Sequence, residues 1–321
     1  MLAIFILLSL SFSLVRQIIF VIKDMEDNKK GIFFAILTAI MWGILAIALK
    51  VALDLVDPAT IVWLRFVVAF SCLLAYQLYR NPAELKLLAK PPLILILAAV
   101  SLAWNYMGFM LGVKYAGPGN TQVIIQLGPV ALVLAGIVFF KEKVSRQQVI
   151  GFALASAGMI IFYKHQLSQL SGAENEFSLG VLFTVTGALA WTIYAVFQKK
   201  LVMRLPATIL NLFIFGLAAI IYWPFIQLDS IAHLHWGFWI LLIFLGLNTL
   251  ISYGALNLAL RYTTTSTVSI ILILNPIITL GFIALFTWMN VSWIDGEKFT
   301  WLSIAGALIV LAGAILVVRR K

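Results

Sequence analysis

The stretch KYAGPGNTQVIIQLGPV, Lys114 to Val130, and the later RYTTTSTVSIILILNPI, Arg261 to Ile277, carry the same marks in the same order. Each has a basic residue and a tyrosine, then a turn of small and polar residues, an apolar run, and a proline fourteen positions after the tyrosine. Outward from this pair, at an offset of about 148, the chain keeps matching itself. Trp42 falls on Trp191, the PATI beginning at Pro58 on the PATI beginning at Pro206, and Tyr106 on Tyr253. The seven-residue step from Gly151 to Gly158 returns from Gly306 to Gly313. Order and spacing persist from one end of the repeat to the other, so the chain is built from two related halves.

The solvent for those halves follows from composition. The chain of 321 residues is 63% apolar and 11% charged, about half the charge of a soluble domain, and a water-soluble core cannot hide that much apolar surface. From Gly31 onward ten apolar runs have membrane-crossing length, at 31–51, 58–79, 92–113, 119–140, 147–164, 178–198, 206–227, 236–260, 264–288 and 300–318. The single Cys72 excludes a disulfide framework and a cysteine-based zinc site. The net charge of +10 sits in short clusters between the runs, which is how topology is written, so no nucleic-acid partner is expected. Counted on alternate sides of the ten spans, Lys and Arg divide sixteen to four, which places the C-terminus in the cytoplasm of a multi-pass cell-membrane protein.

The expected fold is therefore an all-α integral membrane protein of ten transmembrane helices, with five-helix repeats at residues 25–165 and 177–321. An odd number of spans per repeat makes the halves enter the bilayer in opposite directions, the inverted arrangement of many secondary transporters. Residues 1–24 form an extra hydrophobic segment interrupted by Arg16 and Gln17. Met25 is read as the natural start and this segment as an upstream extension, an eleventh or interfacial helix being the alternative.

From Gly31 to Arg320 the chain resembles the EamA family of the drug/metabolite transporter superfamily. The resemblance rests on Trp42 with Lys50, on YAGPGNTQVIIQLGPV, on Glu142 before VSRQQVIGFALASAGMI, and on the closing echo IAGALIVLAGAIL. It implies paired five-helix repeats and a carrier that exports amino acids or related metabolites. The family commonly places a second Glu after the ninth helix, where this chain has Met289 and Asn290.

Polar residues at membrane depth are costly unless they face protein or a water-filled cavity, so they mark where a small-molecule substrate would bind. They are Trp104, Asn105 and Tyr106 in the third span, Gln122 and Gln126 in the fourth, Asn248, Ser252, Tyr253 and Asn257 in the eighth, and Ser269 and Asn275 in the ninth. Gln122 and Gln126 share a helix face by their spacing of four, as do Asn248 and Ser252. Trp42, Trp191 and Tyr194 offer aromatic walls. Each amide is equally a candidate for interhelical packing worth on the order of 1 kcal/mol. Arg65, roughly 10 Å along its helix from Pro58 at 1.5 Å per residue, is a candidate anion contact with a snorkelling alternative. Pro129 and Pro276 are expected to kink or break their helices. Gly108 and Gly112 are expected to admit a close neighbour, and Glu142 to pair with Lys141, Lys143 or Arg146.

All twelve acids fall in loops or at helix ends, which argues against a carboxylate proton relay and for facilitated diffusion or exchange. No cofactor or metal is expected, and the pattern His233-x-His235 is only a weak hint of one. An intramembrane enzyme needs a nucleophile, base or metal ligands within the bilayer, and no such set is written here, so the chain is read as a non-enzyme. A channel or a non-transporting scaffold is the remaining alternative to a carrier.

Overall fold

A computed structural model describes residues 25–116, 121–122, 124–162, 175–232, 234–289, 291 and 301–318. The hydrophobic segment 1–24 and the His233 position lie outside the described residues. The described chain is helical, with no strand. Its helices are α1 (Asp27–Leu53), α2 (Pro58–Arg80), α3 (Leu93–Ala116), α4 (Leu127–Phe140), α5 (Arg146–Phe162), α6 (Asn175–Val202), α7 (Ala207–Tyr222), α8 (Trp236–Tyr262), α9 (Thr265–Leu272), α10 (Asn275–Trp288) and α11 (Trp301–Val318).

Local chemistry sets several boundaries. Asp57 accepts from the Thr60 N–H at 3.0 Å and Pro58 opens the first turn of α2, so an oxygen cap and a fixed φ start that helix. Thr264 accepts from the Thr267 N–H at 3.2 Å at the start of α9. Seven helices among the described residues are long and apolar enough to cross a membrane, α9 and α10 counting together as Thr265–Trp288, and Leu127–Phe140 and Ile304–Val317 are shorter apolar helices. Large apolar side chains also cover the outside, among them Leu97 on α3, Val138 on α4, Ile240 on α8 and Leu308 on α11. Helices apolar on both their inner and outer faces belong in lipid, so this is an all-α, multi-pass membrane protein.

Helices from opposite halves of the chain pack as antiparallel pairs, and small residues set how closely. On α5 and α11 the repeated glycines meet one another. A Cβ at Gly151 would stand 2.7 Å from the Gly313 carbonyl, and one at Gly158 would stand 2.9 Å from the Gly306 carbonyl. On α3 and α6, a Cβ at Gly108 would lie 2.6 Å from the Phe183 carbonyl and one at Gly180 would lie 2.6 Å from the Ala116 nitrogen. Gly108 thus admits the neighbouring backbone as the small-residue spacing predicts. On α1 and α8, Thr38 donates to the Ser252 carbonyl at 3.2 Å and Asn248 to the Met41 carbonyl at 2.7 Å. α2 meets α7 with Gly216 against Phe70 at one level, and the Gln227 N–H donates to the Thr60 hydroxyl at the other.

The spans at 119–140 and 264–288 are each interrupted close to their prolines, as expected of Pro129 and Pro276. Ile125 and Gln126 form a turn before α4, and Ile273 and Leu274 form a turn between α9 and α10. Pro129 and Pro276 fall in the first turn of the helices that follow. A proline there gives up an N–H that lacks an intrahelical partner anyway, so each break costs little on its C-terminal side.

Candidate functional site

The two breaks open onto one cavity of about 110 Å³. Its walls come from α1 (Trp42, Leu45, Leu49), α2 (Arg65), α3 (Asn105, Tyr106, Phe109), the Gln122–Gln126 turn, α6 (Trp191), α8 (Tyr253) and the α9–α10 break (Leu272, Asn275). Irregular backbone at membrane depth is tolerated where it lines a cavity, and both breaks do so here.

Along the wall the aromatic rings form a continuous band. The Arg65 guanidinium carbon lies 4.4 Å from the Tyr106 ring centroid. Tyr106 neighbours Tyr253 at 5.9 Å, Tyr253 neighbours Trp42 at 5.5 Å, and Trp42 meets Trp191 edge to face at 5.9 Å. Arg65 is only 4% exposed, which rules out snorkelling, and its Nε donates to the Thr249 hydroxyl at 3.1 Å. The Tyr106 hydroxyl reaches the same Thr249 oxygen at 3.4 Å, and Thr249 donates to the Leu245 carbonyl at 3.1 Å. One threonine thereby fixes both the cation and the ring beneath it. Among the described residues, three polar atoms in the lining are buried without a hydrogen-bond partner: Gln126 Oε1, Trp191 Nε1 and Asn275 Oδ1.

Of the residues singled out from sequence, Trp42, Arg65, Asn105, Tyr106, Gln122, Gln126, Tyr253 and Asn275 come together on this cavity. Tyr194 stands directly behind it, fully buried and edge-on to Tyr253 at 5.6 Å. Asn248 and Ser252 share a helix face as expected, but that face packs on α1. Asn257 donates to Asn211 at 2.7 Å in a buried amide cluster that Gln198 joins at 3.5 Å. Trp104 is 41% exposed and packs on Phe183 of α6, outside the lining. Thr249, Leu45, Leu49 and Phe109 were not anticipated. Thr249 carried a usable signal, since it lies one turn before Tyr253.

A second polar cluster ties the halves together at the end of the bundle where α1 starts and α8 finishes. Glu142, expected to pair with its basic neighbours, instead reaches α9. It accepts from the Thr265 N–H at 2.9 Å, the Thr265 hydroxyl at 2.8 Å, the Ser266 N–H at 3.3 Å and the Ser266 hydroxyl at 3.2 Å. Lys199 of α6 lies 3.4 Å from the carboxylate and donates to the Thr263 carbonyl at 2.8 Å. The backbone sets this direction: Lys141 adopts the left-handed conformation at φ 54°, ending α4 so that the next side chain turns towards the N–H groups opening α9. Burial pushes the Glu142 carboxyl up, but the Thr265 and Ser266 hydrogen bonds and the Lys199 charge outweigh it and hold it below its ordinary value of 4.5.

Comparison with known proteins places this geometry. The EamA-like transporter family matches twice, over residues 29–164 and 178–319. The chain is 35% identical over 294 residues to the uncharacterized inner membrane transporter YhbE of Escherichia coli K12, covering 89% of this chain and 90% of that protein. It is 25% identical over 302 residues to a probable amino-acid metabolite efflux pump of Salmonella typhimurium, covering 89% and 94%. A crystal structure of another protein shares the fold with a TM-score of 0.74 at 17% identity, covering 90% of this chain and 97% of that one. With both halves matched in turn, the chain belongs to the EamA-like transporter family.

Proposed function

We propose that the chain is a secondary carrier that moves a small organic metabolite, an amino acid or a related compound, out of the cell by alternating access. The observation that carries this reading is that one cavity takes its walls from both family-matched segments, at the points where two helices break. Discontinuous helices around a central site are how transporters present polar groups to a solute in mid-membrane. The antiparallel packing of α5 on α11 and of α2 on α7, pairs that hold the same rank in each half, supports ten spans arranged as two inverted repeats. The Salmonella relative's name supports the substrate class and the direction.

The basic end, where Lys30 lies near Tyr262 and Lys199 meets Glu142, is the cytoplasmic one by the excess of Lys and Arg, which puts the C-terminus there too. The cavity lies beyond the middle of α1, from Trp42 to Leu49, on the far side from the Glu142 cluster. We read a cavity displaced to the outer side of a tied inner end as the outward-facing state of the carrier. With no carboxylate among the described residues of the cavity wall, we read transport as running down the gradient of the solute or by exchange. The test is counterflow: full-length protein in liposomes preloaded with unlabelled amino acid should transiently concentrate the labelled one and saturate. Flux that is linear in concentration and shows no counterflow would point to a channel instead.

A further inference from the structure

Resting on the carrier reading, we propose that the cavity recognises a small zwitterion, with Arg65 holding its carboxylate and the amide oxygens of Gln126 and Asn275 holding its ammonium group. Arg65 lines the cavity nearly fully buried, and no acidic side chain pairs with it among the described residues. Among the described residues its side chain donates through Nε to Thr249, which leaves the two terminal nitrogens of the guanidinium fork for a planar anion. Thr249 and the Tyr106 ring hold the fork in place, so little side-chain freedom is lost on binding.

A buried guanidinium accounts for only half of the solute. Gln126 donates its amide N–H to the Gln122 carbonyl at 3.4 Å, and among the described residues neither its Oε1 nor Asn275 Oδ1 has a hydrogen-bond partner. These two acceptors come from the two helix breaks, one in each half. An alkylammonium supplies the donors both require, beside the aromatic rings of Trp42 and Tyr253 in the same wall. Trp191 Nε1 is a spare donor for a carboxylate oxygen.

Charge and size then set the limits. One cation without a second excludes dicarboxylates, and a wall without a carboxylate disfavours a second ammonium. A cavity of about 110 Å³ holds several waters' worth of space and so suits a small solute. The fit is a neutral amino acid with a short side chain, against Leu45, Leu49 and Phe109.

The experiment measures equilibrium binding to purified full-length protein in detergent, using labelled L-threonine with L-threoninamide and 2,3-dihydroxybutanoate as competitors. The amide keeps the size and removes the carboxylate; the hydroxy acid keeps the carboxylate and removes the ammonium. Each competitor should bind at least about tenfold more weakly than threonine, the loss expected for one charge-assisted contact. R65Q should abolish the discrimination between threonine and its amide, and N275A should narrow that between threonine and the hydroxy acid. Equal binding of threonine and threoninamide to the unaltered protein overturns the proposal, and that comparison needs no variant to fold. Failure of threonine and of the other short neutral amino acids to bind also overturns it, while counterflow of an uncharged solute would leave the carrier reading standing. Binding as proposed without counterflow would fail the carrier reading alone.

Discussion

Replacing Glu142 by Gln tests whether the halves are held together at the basic end by charge or merely by contact. In the native cluster one carboxylate oxygen takes the Thr265 N–H and faces Lys199, while the other takes the Ser266 N–H and both hydroxyls. Glutamine has one acceptor oxygen in place of two. Whichever way its amide turns, a backbone N–H at the start of α9 faces another donor, at about 1–3 kcal/mol for an unsatisfied buried group. Lys199, whose side chain is 15% exposed, also loses its counter-charge. Complete removal of one partner of a buried pair costs about 3–5 kcal/mol, so a partly exposed pair with an isosteric replacement should lose about 2–3 kcal/mol. The assay is reversible SDS unfolding in mixed micelles, run as a cycle of E142Q, K199M and the double variant. The two changes should couple by about 1 kcal/mol or more, because K199M removes a charge that E142Q has already stranded. Coupling below about 0.5 kcal/mol, the scatter expected of independent sites, would refute the reasoning. Because the folded carboxyl titrates below 4.5, its contribution is present at neutral pH and fades only as pH falls through that lowered value. The gap between E142Q and the native protein should therefore be constant from pH 6 to 8 and close under acid.

Other substitutions probe the packing and the cavity separately. Gly108→Val drives a branched side chain into the Phe183 carbonyl and the Gly187 backbone, and should cost at least about 2 kcal/mol in the same SDS assay. Asn211→Ala strands the amides of Asn257 and Gln198 and should cost about 1–3 kcal/mol, whereas N211A/N257L should recover part of that loss. Trp42→Ala opens the cavity wall and should depress counterflow far more than Trp104→Ala, whose ring packs on Phe183 outside the lining; equal effects in liposomes would contradict the placement.

What could be read in the sequence was whatever one helix or one repeat decides by itself. Span lengths follow from bilayer thickness, and the recurrence of Tyr, turn and Pro follows from duplication, so both were visible without partners. The glycine steps were visible as a repeated motif, though not that Gly151 and Gly158 would meet their own echoes at Gly313 and Gly306. Periodicity placed Asn248 and Ser252 on one face but could not say that α1 would occupy it. Glu142 shows the limit best. Three basic residues lay within four positions of it, yet its partner at Thr265 is 123 residues away, because a left-handed residue at Lys141 and the opening of another helix determine where it points.

Arg65 separates two properties that the duplicated scaffold would otherwise join. The helix pairings exchange under a swap of halves: α1 packs on α8 as α3 packs on α6. Both breaks likewise carry an amide and a following proline. The charge does not exchange, since the position equivalent to Arg65 in the second half is Phe213, a partly buried residue packed against the core. Symmetric framework and asymmetric chemistry have different consequences for a carrier. Opening to either side needs only that the two bundle arrangements be close in energy, which similar halves supply. Specificity needs groups that a solute cannot satisfy in two orientations, and a single fixed cation on one wall supplies that. Arg65→Phe, which makes the two halves alike at this position, should therefore leave the helix pairings intact while removing the cation from the cavity wall. If the division of labour is correct, that variant still folds but loses short neutral amino acids in the liposome assay; unchanged selectivity would mean that the Arg65 side of the cavity does not choose the solute.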